Sequence, residues 1–331
     1  MTLVSRFFYF FILVLIISCQ EIPNTYTIIG YTQGTTYTVK YNSDNNKILS
    51  SDIDSLLNVI DLSMSTYKSN STISLINNNQ AVILDALIEE VIDRSIDICH
   101  QTNGMFDITV APLVDYWGFG NKSITKEFKS IDKLSHKIGC DLLYIENHRL
   151  IKSDEVSIDL NGIAQGFSVD HVSNFLLKNG VSDFMVEIGG EVRCSGNNLG
   201  NNWKIGIDTP TDQNNDFVYI LKLKDISLAT SGSYRKYYYK DSIKISHTMN
   251  PKTLQPANNR LISATIVYDD CMSADAYATA CMSMGFEDAK YFLENNNILG
   301  SLIYVNYRDT IHYLSEDFSS LLHRSPGSAP Q

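Results

Sequence analysis

Along the chain, apolar residues recur at helical spacing in some blocks and alternate with polar ones in others. Ser51 to Ile60 puts Ile53, Leu56, Leu57 and Ile60 on one face behind a Ser/Asp start, which predicts an amphipathic helix. Ala81 to Gln101 repeats the pattern with Leu84, Leu87, Ile88, Val91, Ser95, Ile96 and Cys99, and Gly104 supplies the stop. Ile163 to Lys178 and Glu287 to Glu294 read as further helices, as does the Ala-rich segment after Ser273, with Ser273 as its N-cap. Thr25 to Tyr41 alternates β-branched and aromatic residues around Gln33-Gly-Thr-Thr-Tyr37, the mark of a hairpin. Strands are expected at Val156–Leu160, Phe184–Ile188, Phe217–Leu223, Ser227–Thr230, Tyr237–Ser246, Arg260–Val267 and Ile298–Val305. Val156–Leu160, the Asn161-Gly162 turn, the following helix and Phe184–Ile188 form one β-α-β crossover candidate. Met105–Thr109 reads as a strand end, Ala111–Gly120 as a packed loop of aromatics and glycines, and Ser231–Arg235 as a turn. The fold class is α+β: mixed, largely antiparallel sheets with inserted helices, forming a single large catalytic unit.

The 331 residues, 44% of them hydrophobic, suffice for a large core, and no low-complexity linker divides them. The apolar run Phe7–Ile17 is shorter than the ~20 residues of a spanning helix, so residues 1–18 read as a signal peptide. The ending Ile16-Ile-Ser-Cys19 resembles a bacterial lipobox. Cys19 would carry the lipid, residues 19–28 would tether residues 29–324 to an inner or outer membrane of the cell envelope, facing the exported side, and 325–331 would be a polar tail. Five cysteines remain, an odd number without Cys-x-x-Cys spacing, which argues against a disulfide framework or a thiolate zinc site; a Cys271–Cys281 bridge stays open.

A formal charge of −11 argues against a nucleic-acid partner, since phosphate binding needs clustered Lys and Arg. An anionic ligand must therefore be held by local devices. The densest run of hard oxygen donors lies between Thr248 and Thr279. On a helix, Asp275 and Thr279 stand at i and i+4, a carboxylate and a hydroxyl suited to Mg²⁺; ordinary capping is the competing reading. His247 is the one histidine beside a polar turn. Neither His-Glu-x-x-His, Gly-x-Ser-x-Gly nor Gly-x-Gly-x-x-Gly occurs, so zinc hydrolysis, acyl transfer and a Rossmann site lack support. Asp, Thr, His, aromatics and glycine turns suit phosphoryl transfer on an aromatic-bearing phosphate ester.

Gln33-Gly-Thr-Thr-Tyr, Met64-Ser-Thr-Tyr, Met105-Phe-Asp-Ile-Thr, Trp117-Gly-Phe-Gly, Asp159-Leu-Asn-Gly-Ile-Ala-Gln-Gly, Glu187-Ile-Gly-Gly-Glu, Ala229-Thr-Ser-Gly-Ser-Tyr-Arg, Ser246-His-Thr-Met-Asn-Pro and Ala274-Asp-Ala-Tyr-Ala-Thr, in this order, resemble the ApbE family. That resemblance implies an Mg²⁺-dependent enzyme, often a lipoprotein, that splits FAD and joins FMN to a Thr or Ser hydroxyl, releasing AMP. The acceptors it implies are flavoprotein subunits of membrane redox complexes. Carried over by position, Gly162 (through its carbonyl), Asp275 and Thr279 would hold the metal. Gln33, Tyr67, Met105, Phe106, Asp107, Asp159, Gln165 and Met249 would contact FAD. By reach and pKa type, His247 is the candidate for taking the proton from the attacking hydroxyl or steadying the pyrophosphate. Gln165, Asn250 and Leu254 depart from the family's usual Lys, Asp and Gly. The alternatives are an Mg²⁺-dependent FAD pyrophosphatase, with water as acceptor, and a non-catalytic FAD-binding or storage lipoprotein.

Overall fold

The computed structural model describes residues 23–45, 47–120, 131–210, 216–234, 236–241, 243–306 and 309–323. The signal peptide, Cys19 and the tail from 325 lie outside them. Eight strands form one sheet: β1 (Asn24–Thr32), β2 (Thr35–Ser43), β3 (Asp183–Ile188), β4 (Glu191–Ser195), β5 (Ile226–Gly232), β6 (Leu261–Tyr268), β7 (Leu299–Asn306) and β8 (Asp309–Leu314). Their order in the sheet is their order in the chain, and every pairing is antiparallel. The expected crossover is therefore absent: residues 156–160 form no strand, and β3 pairs antiparallel with β2 and β4. The Ile158 backbone bonds the Asn77 side chain instead, its amide donating to Oδ1 and its carbonyl accepting from Nδ2, both at 2.8 Å.

Among the described residues, seven helices are inserted between strands: α1 (Ser50–Met64), α2 (Thr72–Asn77), α3 (Ala86–Gln101), α4 (Ala111–Tyr116), α5 (Ala164–Lys178), α6 (Cys271–Met284) and α7 (Phe286–Asn295). In α1, Ile53, Leu57 and Ile60 of the predicted stripe face the core, Leu56 is half-buried, and the helix runs on one turn to bury Met64 as well. Two expectations are corrected here. Ala111–Tyr116 is helical, with Pro112 in its first turn, where a missing N–H costs nothing. Tyr237–Ser246 is a hairpin of Tyr237–Lys240 and Ile243–Ser246.

Alternating residues of the sheet point into two cores. Ala229 and Ile266 meet the helices, while Leu228 and Val267 meet a hairpin of Trp203–Asp208 and Phe217–Leu223. Asp85 ties three helices together: it caps α3 through the amides of Leu87 and Ile88, and accepts from Ser63 Oγ and Thr72 Oγ1. Asp85→Ala removes the cap and strands two hydroxyls, so thermal denaturation should show a loss of about 2 kcal/mol.

A disulfide joins Cys99, in α3, to Cys140 across 41 residues. Counting cysteines from the sequence pointed the other way, because three of the five are buried free thiols at Cys194, Cys271 and Cys281, leaving two to pair.

Candidate active site

The helix that carries Asp275 and Thr279 is enclosed on nearly all sides. Alanines at 274, 276, 278 and 280 let its neighbours approach, and each is fully buried. Asp270, not Ser273, caps α6: its side chain accepts from the Ser273 amide at 2.7 Å, and the Ser273 hydroxyl accepts from Arg94. Asp170 of α5 fixes the same end, taking the Met272 amide at 2.8 Å and the Arg193 guanidinium at 2.7 Å.

Asp275 is buried, and its Oδ2 accepts from the Gly166 amide at 3.1 Å. Gly166 lies in the first turn of α5, whose N-cap Ile163 has no side chain to satisfy the free amides, so Asp275 caps that helix from outside. Burial nonetheless dominates and pushes its carboxyl up to about 7. A turn further on, Thr279 Oγ1 meets Ser231 Oγ at 3.3 Å. Across from them runs the Asn161-Gly162 turn: a methyl on Gly162 would stand 3.1 Å from both Oγ1 and Cγ2 of Thr279. Asp275, Thr279 and Gly162 thus come together, and Ser231 joins them as a hydroxyl not singled out from sequence. The polar Ser-Gly-Ser-Tyr-Arg run was its available signal.

A second group gathers at the β1–β2 turn. Gln33, at φ +50°, donates through Nε2 to Ser168 Oγ at 2.7 Å, while its buried Oε1 accepts no hydrogen bond from the described residues. A buried acceptor left in this way fits a donor supplied by a ligand. Gly189 adopts φ +66°, and a methyl there would lie 3.0 Å from Gln165 Nε2, 3.0 Å from Thr35 Cγ2 and 3.4 Å from Glu191 Oε2.

Met105 to Thr109 is a turn leading into a short 3-10 helix rather than a strand end. Phe106 is buried and faces Gly162. Asp107 accepts from the Thr109 amide and hydroxyl at 2.8 and 2.7 Å, and burial raises its carboxyl above the usual range. The Asp159 amide donates to the Ile108 carbonyl at 2.7 Å, and the Asp159 carboxyl, also raised by burial, accepts from the Asn161 amide at 2.7 Å. Met105 is half-buried in the same turn. Met249 packs with Leu113 and Leu134, and its carbonyl accepts from Ser283 Oγ of α6. Tyr67 stands apart from these groups, 77% exposed in the turn after α1.

His247 follows the Tyr237–Ser246 hairpin. Its Nδ1 lies 3.1 Å from the Lys236 carbonyl, which can only accept, so Nδ1 carries the proton and Nε2 keeps its lone pair. Burial, with the Lys236 ammonium adding to it, lowers the imidazole pKa and keeps the ring neutral. Phe119 flanks the ring at 6.3 Å.

Two departures from the family pattern find physical substitutes. Asn250 Oδ1 accepts the amides of Lys252 and Thr253 at 3.0 and 2.9 Å, closing the turn. Leu254 adopts φ +61°, a region that glycine enters more readily, and its side chain packs beside Leu113 and Met249.

The donor set suits a hard cation: one buried carboxylate, two hydroxyls and a turn backbone. Where three His, Cys, Asp or Glu ligand atoms do cluster among the described residues, Cys140 takes part, and its sulfur is in the disulfide.

Residues 33–302 match the ApbE family model. A Vibrio cholerae protein named FAD:protein FMN transferase is 34% identical over 324 residues, covering 94% of this chain and 97% of its own. A Haemophilus influenzae protein of the same name is 32% identical, covering 86% and 88%. Among solved structures, the flavin transferase ApbE from Vibrio cholerae superposes with a TM-score of 0.80 at 33% identity, over 91% of this chain and all of that one. The apo Pseudomonas stutzeri flavinyl transferase ApbE gives 0.83 at 27% identity, over 92% and 99%. Matching family model, near-full-length relatives and shared fold agree: the chain belongs to the ApbE family.

Proposed function

We propose that this protein transfers FMN from FAD to a Thr or Ser hydroxyl of a partner flavoprotein. The observation that carries the reading is the buried pair Asp275 and Thr279, set against the Gly162 turn and the first turn of α5. Asp275, Thr279 and the Gly162 carbonyl would hold Mg²⁺, which supplies charge neutralisation at the pyrophosphate oxygens when bound. Amides at the start of α5 favour an anion in the same place. Gln33 and the Met105–Asp107 turn would hold the flavin-bearing substrate, with the buried Oε1 of Gln33 awaiting a donor.

His247 is the base of this reading, since its fixed tautomer leaves Nε2 ready to accept. The acceptor oxygen bonds to the FMN phosphorus and its proton passes to Nε2. The bond from that phosphorus to the bridging oxygen breaks, and AMP leaves with that oxygen.

The Cys99–Cys140 disulfide supports an exported protein, because such bonds persist in oxidising compartments. It accords with anchoring through Cys19 on the outward side of an envelope membrane, where flavoprotein subunits of redox complexes would be the acceptors.

The test is the intact mass of a candidate acceptor domain after incubation with the purified protein, FAD and Mg²⁺, with and without EDTA. A gain of one FMN less water, lost with EDTA, is the expected result. FAD split to FMN and AMP without a gain would favour the pyrophosphatase reading, and intact FAD a binding protein.

A further inference from the structure

The Tyr237–Ser246 hairpin, with Lys236 just before it, is a locally basic stretch in an acidic chain. The whole chain has 37 acidic against 26 basic side chains, yet residues 236–244 hold three lysines and one aspartate. Its aromatics are outward as well, with Tyr239 66% and Tyr238 37% exposed. Lys244 Nζ sits 4.1 Å over the Tyr237 ring, which holds that ammonium at the surface in a set position. Among the described strands the two strands of the hairpin pair only with each other.

The hairpin is also joined to the candidate site. Tyr238 Oη donates to the Trp117 carbonyl at 3.0 Å, its ring lies tilted against Phe119 at 5.3 Å, and the Lys236 carbonyl holds His247. His247 follows the hairpin directly in the chain, so a segment that brings its hydroxyl to His247 passes beside this element.

We infer that the hairpin is the docking surface for the acceptor protein, and that the segment it receives is acidic around the reacting hydroxyl. The inference rests on the FMN-transferase reading for what is docked, and on charge for the chemistry. An acidic segment is repelled by the chain's net charge of −11 and attracted beside Lys244 and the exposed tyrosines, so it lands beside the site. Exposed tyrosines add contact area at little entropic cost.

The test measures binding apart from transfer. Two short fluorescein-labelled peptides, each with one Thr, are flanked by Asp and Glu or by Lys, and anisotropy is read on the purified protein and on its Lys244→Glu and Tyr239→Ser variants. The acidic peptide should bind about tenfold more tightly than the basic one, lose that advantage in Lys244→Glu, and weaken as salt rises, while FAD affinity stays unchanged. Equal binding of the two peptides, or no loss in either variant, overturns the inference. So does a parallel loss of FAD affinity, which would make the hairpin part of the nucleotide site. Loss of sedimentation with phosphatidylserine vesicles in Lys244→Glu, with peptide binding intact, overturns it in favour of lipid. Charge-selective binding without any FMN mass gain would leave the surface standing and remove the transferase reading.

Discussion

Asp275→Asn should lower FMN transfer by at least about 10³-fold while leaving the protein folded, because a neutral amide still accepts from the Gly166 amide but offers a cation no charge. Stability separates this from a simple loss of structure. Without metal, the native carboxyl holds its proton up to about pH 7, whereas the unfolded one releases it near 3.8. Between those values the native state binds more protons, so stability conferred by the protonated form falls as pH rises from about 4 towards 7. Asp275→Asn has no such proton to lose. In EDTA it should therefore be the more stable form at pH 8, by on the order of 1–3 kcal/mol, with the gap closing towards pH 5. Mg²⁺ should raise the melting temperature of the wild type at pH 8 and leave the variant unmoved. A metal-independent melting temperature in the wild type would remove Asp275 from the metal site.

Gly166→Ala should disturb the site from behind. A methyl there would stand 2.3 Å from the Cys271 carbonyl oxygen and 2.9 Å from Asp275 Cβ, too close for either to remain in place. Backbone oxygens cannot rotate away, so α5 and α6 must separate, at about 1–3 kcal/mol for overpacking of this kind. The same separation stretches the bond between the Gly166 amide and Asp275. Transfer should consequently fall about 10²-fold with the acceptor's KM little changed, read by steady-state kinetics alongside denaturant melts. Gly180→Ala serves as the control for glycine loss, since a methyl there meets nothing within 4 Å and only its φ of +79° resists, yet it lies at the far end of α5.

Much of the architecture was readable because single elements carried their own markers. The alternation in Phe217–Leu223 and the stripe of Ile53, Leu57 and Ile60 follow from one-sided burial, which periodicity reports directly. Asp275 and Thr279 were legible as a pair because helix geometry alone puts i and i+4 together. What sequence concealed depends on distant partners. Val156–Leu160 has the composition of a strand, but its Ile158 amide and carbonyl are taken by Asn77, 81 residues away. Cys140 shows nothing in its own neighbourhood that marks Cys99 as its partner. Ser231 acquires meaning only when β5 delivers it to Thr279, and Asp170 only when its α5 carboxylate reaches Met272 and Arg193. Asp270 rather than Ser273 is the cap because the helix begins at Cys271, which leaves Ser273 inside its first turn, where its amide is the one that Asp270 satisfies.

The agreement between chain order and strand order in the main sheet has a consequence for how the protein is made. A chain emerging N-terminus first from a ribosome or a translocation pore can lay each strand against the edge left by the previous one. No ladder already zipped has to open again to admit a latecomer. The long wait falls between β2 and β3, from residue 43 to 183, while the segment that supplies five of the seven described helices arrives. During that interval the inner edge of β2 is an unpaired backbone, and closing it is a high-separation event of the kind that slows assembly. When the complete chain is refolded from denaturant, pulse-labelling hydrogen exchange should find the β6–β7–β8 end protected before the β2–β3 junction, because its contacts span shorter stretches of chain.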